Sequence, residues 1–128
     1  TCQKVPKIYD GLQWQDVLLN KNTNLNGWLS VNGSVSLPIT FPINLNQYSV
    51  TMDETDNTFV NISSNIFSVN IPAPHTCKGR HYYLINHGSQ NMTVSHQIKT
   101  GYSTQTNLIQ PQERFHIVSD GTYWHKAN

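Results

Sequence analysis

Six histidines and seven carboxylates hold most of the reactive chemistry open to this 128-residue chain. Neutral imidazole is the commonest metal ligand, so the histidine spacing decides whether a metal site is within reach. Asp120-Gly121, set between β-forming residues, is a strong short hairpin signal, because both central residues of a type I′ turn need positive φ. Counting outward from that turn, Ser119 faces Thr122, Ile117 faces Trp124, and His116 falls opposite His125. Such a cross-strand pair, with Cβ atoms about 5 Å apart, either shares a metal or repels on protonation. Two half-exposed histidines on a solvent face are the plainer alternative. If residues 88–90 are a three-residue loop, His81 and His87 share one strand face and His96 lies on the other, so these three make no common site. No metal ion and no other cofactor is expected.

Glycoside cleavage needs two carboxylates facing across a cleft. The candidates are Asp10, Asp16, Asp53, Glu54, Asp56, Glu113 and Asp120. Asp53, Glu54 and Asp56 crowd one turn, where solvated acids are the ordinary state, Asp120 is occupied by its own turn, and Asp16 reads as surface. Nucleophilic hydrolysis needs a Ser or Cys on a sharp turn with a base nearby, and no Gly-x-Ser-x-Gly elbow occurs. Catalysis is therefore not expected. Sugar recognition pairs an exposed aromatic ring with amide and hydroxyl hydrogen-bonders, and two places have that chemistry: Trp28 beside Asn24 and Asn26, and Tyr102 beside Thr104 and Gln105. Simple packing is the competing account of both. Phe41, Phe67, Phe115 and Trp124 read as core.

These side chains must be carried by strands. Helix formers are sparse, whereas Val, Ile, Thr and the aromatics are frequent. Strands are expected at residues 12–19, 47–52, 58–62, 66–71, 81–87 and 92–98, with an Asn-rich loop at 20–26 and an acidic turn at 53–57. Residues 27–31 and 34–37 flank Asn32-Gly33 and predict a further hairpin. Pro38 and Pro42 keep residues 39–41 out of a central strand. Pro72-Ala73-Pro74 marks a break. No internal repeat or heptad is evident. Short strands with frequent turn residues predict an all-β, antiparallel sandwich or jelly-roll-like domain, a single one over residues 1–128.

Charged residues make up 12% of the chain and the net charge is +1, so the surface hydrogen-bonds more than it attracts. No clustered Lys and Arg mark a nucleic-acid interface. No apolar run is long enough to cross a bilayer, so no membrane insertion is expected. The chain opens on Thr1, which suggests the distal piece of a longer protein. Cys2 and Cys77 form either one disulfide or two thiols. Three Asn-x-Ser/Thr triplets, at Asn32, Asn61 and Asn91, are about what chance yields in so Asn-, Ser- and Thr-rich a chain.

Several passages carry a resemblance. Ser36-Leu37-Pro38-Ile39-Thr40-Phe41-Pro42 followed by Gln47-Tyr48-Ser49-Val50-Thr51 is one. Tyr83-Leu84-Ile85-Asn86, Met92-Thr93-Val94, Asn107-Leu108-Ile109-Gln110-Pro111 and the closing Ser119-Asp120-Gly121-Thr122-Tyr123-Trp124 are the others. Together they resemble the C-terminal, distal domains of phage tail fibres and viral spikes. The resemblance implies a homotrimer on the virion surface that binds a host surface glycan or protein receptor. Two other roles fit the residues: a structural trimerisation or capping domain of a fibre, and a secreted lectin-like module.

Overall fold

The computed structural model describes residues 30, 32–42 and 47–128. Two compact units divide the chain, Thr1–Val35 and Ser36–Asn128, and every strand described here belongs to the second. The strand expected at 12–19, the loop at 20–26 and the site residues Asn24, Asn26 and Trp28 lie outside the described residues.

The described residues are all-β, apart from one 3-10 turn at Pro74–Thr76. Nine strands make one curled sheet, a half-barrel: β1 (Ile39–Thr40), β2 (Ser49–Thr51), β3 (Thr58–Asn61), β4 (Phe67–Asn70), β5 (His81–Asn86), β6 (Met92–Lys99), β7 (Gln105–Ile109), β8 (Arg114–Ser119) and β9 (Trp124–Lys126). The first six pair in an unexpected way. β1, β3 and β5 form one parallel ladder, and β2, β4 and β6 form another. Each odd strand and the even strand after it thus belong to one coil of a short solenoid, stacked on the next coil through backbone hydrogen bonds.

The registers expose a hidden repeat. Partners are 19 residues apart between the first two coils (Ile39↔Thr58, Ser49↔Ser68) and 25 apart between the second and third (Thr58↔Tyr83, Ser68↔Thr93). The spacing within a coil stays constant. The extra residues all fall between β4 and β5, where the 3-10 turn sits, and this insertion hides the period from a fixed-interval search.

β5 and β6 are therefore not the antiparallel hairpin that residues 88–90 suggested. Among the described residues only Gly33, Gly79, Gly121 and Gln112 have positive φ, so the 88–90 turn lacks the backbone of a tight hairpin. Asn86 holds it open instead. Its buried side-chain oxygen accepts from the Gly88 amide (3.0 Å) and from Asn61 Nδ2 (2.9 Å), and its Nδ2 donates to the carbonyls of Gln90 (2.9 Å) and Ile109 (3.0 Å). Asn61, one coil earlier, accepts from the Ser63 amide at 3.0 Å, so two stacked asparagines satisfy two stacked corners. Asn61 is fully buried, which closes its glycosylation triplet in the folded chain.

The strands alternate inward and outward, and the inward residues of both arms meet in one core. Phe59 and Phe67 stack across a coil with ring centroids 5.3 Å apart. Phe67, Phe115 and Trp124 are buried as expected. Phe41 is not: it remains 49% exposed, because period two turns Ile39 outward on β1 and Phe41 follows it, while Thr40 alternates to the other side. No strand forms over residues 34–37, so the hairpin expected at Asn32-Gly33 is absent from the described part of that segment. Cys77 is a free, half-buried thiol.

The last three strands close one end of the stack. β7 pairs antiparallel with β6, β8 pairs antiparallel with β5, and β9 lies between β8 and the far end of β6. The β8–β9 hairpin forms, with a longer turn than a type I′ link. Ser119 pairs with Trp124, leaving residues 120–123 in the turn, and Asp120 Oδ1 accepts from the Thr122 and Tyr123 amides at 2.6 Å each. Only Gly121 has positive φ, at 93°, so an Asp side chain capping its own turn replaces the second left-handed residue. The register moves accordingly: His125 faces Val118, and His116 is not opposite His125.

Candidate functional site

The loop between β6 and β7, residues 100–104, is braced from within. The Thr100 amide donates to the Thr104 carbonyl (3.0 Å), and Thr100 Oγ1 donates to Thr104 Oγ1 (3.0 Å). A Cβ on Gly101 would fall 2.6 Å from Thr104 Oγ1, so glycine is what lets the loop close. Tyr102 stands at its tip with its ring wholly in solvent. Nothing in the packing of the described residues requires a tyrosine there.

Beside the loop, β9 runs parallel to the end of β6, with Ile98 paired to Trp124 and Lys99 to His125. That pairing creates an open depression of about 430 Å³ lined by Lys99, Thr100, Gly101, Tyr102, His125 and Lys126. Of the residues singled out from sequence, Tyr102 lines it, Thr104 braces the loop, and Gln105, its side chain exposed, begins β7 in register with Lys99. His125 and Lys126 are new members. The sequence marks His125 only as a partner for His116, and nothing local places either residue beside Tyr102, since a parallel pairing across more than twenty residues brings them there.

The electrostatics of the depression are lopsided. Lys99 Nζ lies 4.2 Å from the centroid of the Tyr123 ring and Lys126 Nζ lies 4.5 Å from that of Phe115, so both ammonium groups rest on aromatic faces. His125 Nε2 meets Asp120 Oδ2 at 2.7 Å. The Tyr123 amide, followed by the His125 hydrogen bond and the Thr122 amide, holds the Asp120 carboxyl down to about 2, so it stays an anion through neutral and mildly acid pH. It is the one carboxylate in a salt bridge among the described residues, and His125 takes it.

A second histidine contact lies elsewhere, on the outer face of β5 and β8. His81 Nδ1 and His116 Nε2 are 2.8 Å apart, and Tyr83 stacks flat on His116 with centroids 4.3 Å apart. One ring nitrogen must donate and the other accept, so at least one imidazole carries a lone pair. No group of three or more His, Cys, Asp or Glu among the described residues is placed to hold a metal. Desolvation, then the neighbouring His81, pushes the His116 pKa below 6.5. The unfolded chain therefore takes up this proton first, and the stability linked to it is complete above about pH 6.5 and declines as pH falls. Thermal unfolding should occur at lower temperature at pH 5.5 than at pH 7.5, and His116→Gln should flatten that dependence. An unchanged slope in the variant would discard the linkage.

Compared with protein-family models, curated proteins and solved structures, the chain matches none.

Proposed function

We propose that this chain is the distal, receptor-binding domain of a viral or phage fibre or spike, acting without catalysis at the virion surface. The observation that carries the reading is Tyr102, a ring wholly in solvent on a hydrogen-bonded loop beside a depression of ligand size. The passages that resemble fibre ends support it. So does the architecture: strands that stack coil on coil suit an elongated protein, and β7–β9 close one end of the stack. In this reading the two arms act as the layers of a sandwich-like tip, three chains assemble into a trimer, and the receptor is a host glycan. Three weak sites on one fibre then bind strongly through multivalency.

A glycan array on the purified domain, together with its mass in solution, tests this. Tyr102→Ala should lower glycan or cell binding about tenfold, the loss of one ring contact and its hydrogen bond, with no change in melting temperature. Unchanged binding by that variant removes the site. The second reading, a structural trimerisation or capping domain, is favoured by the same three closing strands, and a trimer that binds no glycan and no cell would select it.

A further inference from the structure

We infer that copies of this chain pack on one another through the outer face of β1, β3, β5 and β8. The number of copies, three, rests on the attachment reading; the surface that joins them goes beyond it. Two rows of side chains run outward across this arm. Ile39, Thr58, Tyr83 and His116 are in register in one row. Val60, Ile85 and Arg114 are in register in the next, where Phe41 follows Ile39 by period two. Ile39, Phe41 and Tyr83 are exposed, as are Leu37, two residues before Ile39, and Ile62, two residues after Val60. The other arm shows how this chain builds an outer face that water covers. There Ser49, Ser68 and Thr93 are in register, and so are Thr51 and Asn70. Ser68 and Thr93 share a hydrogen bond of 3.2 Å, and Asn70 Nδ2 donates to Thr51 Oγ1 at 3.4 Å. One fold thus carries a hydroxyl and amide face on one arm and an apolar, aromatic face on the other.

Area and charge select the occupant. Leu37, Ile39, Phe41, Ile62 and Tyr83 are each roughly half exposed, and side chains of about 150–250 Å² apiece then leave on the order of 500 Å² of apolar surface. An interface is about 60% apolar, so this patch corresponds to about 800 Å² per partner, one side of an interface of standard size. Among the outward residues of the four strands Arg114 alone is a Lys, Arg, Asp or Glu, and it stands on β8, at the margin farthest from β1. A partner chosen by charge finds little to pair with here, whereas a second copy of so neutral a face meets little repulsion. Tyr83 is already stacked flat on His116, with ring centroids 4.3 Å apart, so its ring has little freedom left to lose on association. Three such faces turned toward a common axis close a ring.

The test is sedimentation of the full chain across micromolar concentrations, where wild type should run as a trimer. Ile39→Glu and Phe41→Glu should each weaken association about tenfold or more, because each buries an unpaired charge at the contact, while the far-ultraviolet circular dichroism stays that of wild type. Ser49→Glu, on the polar arm, should leave association unchanged. Hydroxyl-radical footprinting reads the same face without any substitution: oxidation of Phe41 and Tyr83 should fall several-fold from dilute to concentrated protein, while Tyr102 stays open. A wild-type oligomer that persists in both glutamate variants, or that oxidises Tyr83 as fast as the dilute chain, assembles through another face and overturns the inference, leaving the attachment reading to the glycan array. A monomer at every concentration overturns it too. If Phe41 and Tyr83 are then shielded, a segment of the chain itself covers them; if both are open, the face is left to a different protein. A trimer that dissociates in the variants but binds no glycan and no cell upholds the interface and overturns the attachment reading.

Discussion

Asn86→Ala is expected to lower the unfolding free energy by about 3–5 kcal/mol, more than most surface or loop changes in this chain. The side chain is fully buried and touches four partners: Asn61 Nδ2, the Gly88 amide and the carbonyls of Gln90 and Ile109. Alanine removes them all at once, and each buried group left without a partner costs about 1–3 kcal/mol, less where water can enter. Gly88 shows how little slack there is. A Cβ at that position would meet the Ser63 carbonyl and the Asn61 amide nitrogen, so the corner cannot move in to fill the gap. Aspartate is no remedy, because it donates nothing to the two carbonyls and brings a charge into the core. Urea unfolding at constant slope measures the change, with the exposed Asn91→Ala as a control expected within about 0.5 kcal/mol of wild type. A loss under about 1 kcal/mol for Asn86→Ala would mean that the corner is held by its backbone alone.

Period-two alternation made β4 and β6 legible, since each carries apolar residues at alternate positions with polar ones between them. The partners were not legible. A one-sided strand followed by a Gly-containing turn looks the same whether it folds back on its neighbour or passes to the next coil, and what decides between them here is the Asn61–Asn86 stack. In a chain so rich in asparagine those two do not stand out. Phe67-Ser68-Val69 stacks residue for residue on Met92-Thr93-Val94, but the residues added between β4 and β5 break the interval that Ser49↔Ser68 sets, so no repeat was evident in the sequence. The candidate site divides similarly. Tyr102 was legible as a loop aromatic, while His125 and Lys126 come beside it only through β9 pairing with β6, which follows from where Trp124 is buried.

Trp124→Ala should therefore damage both fold and site, and its expected cost is about 3–5 kcal/mol. The indole is fully buried, packs on Tyr82 with centroids 5.5 Å apart, and donates from Nε1 to the Pro72 carbonyl at 3.0 Å. Pro72 lies in the insertion between β4 and β5, Tyr82 is on β5, and Ile98, the pairing partner of Trp124, is on β6. One side chain thus ties the closing strand to both arms of the sheet. Its loss leaves a large cavity where β8, β9 and β6 converge, and frees His125 and Lys126 from the edge of the depression. Trp124→Phe keeps a ring in the core and gives up the hydrogen bond, so it should cost about 1–3 kcal/mol. Chemical unfolding followed by binding to the array separates the cases. Tyr102→Ala should reduce binding at unchanged stability, whereas Trp124→Ala should reduce both. Wild-type stability in Trp124→Ala would mean that β9 is an appendage, and full binding in that variant would mean that the depression does not depend on the closing strand.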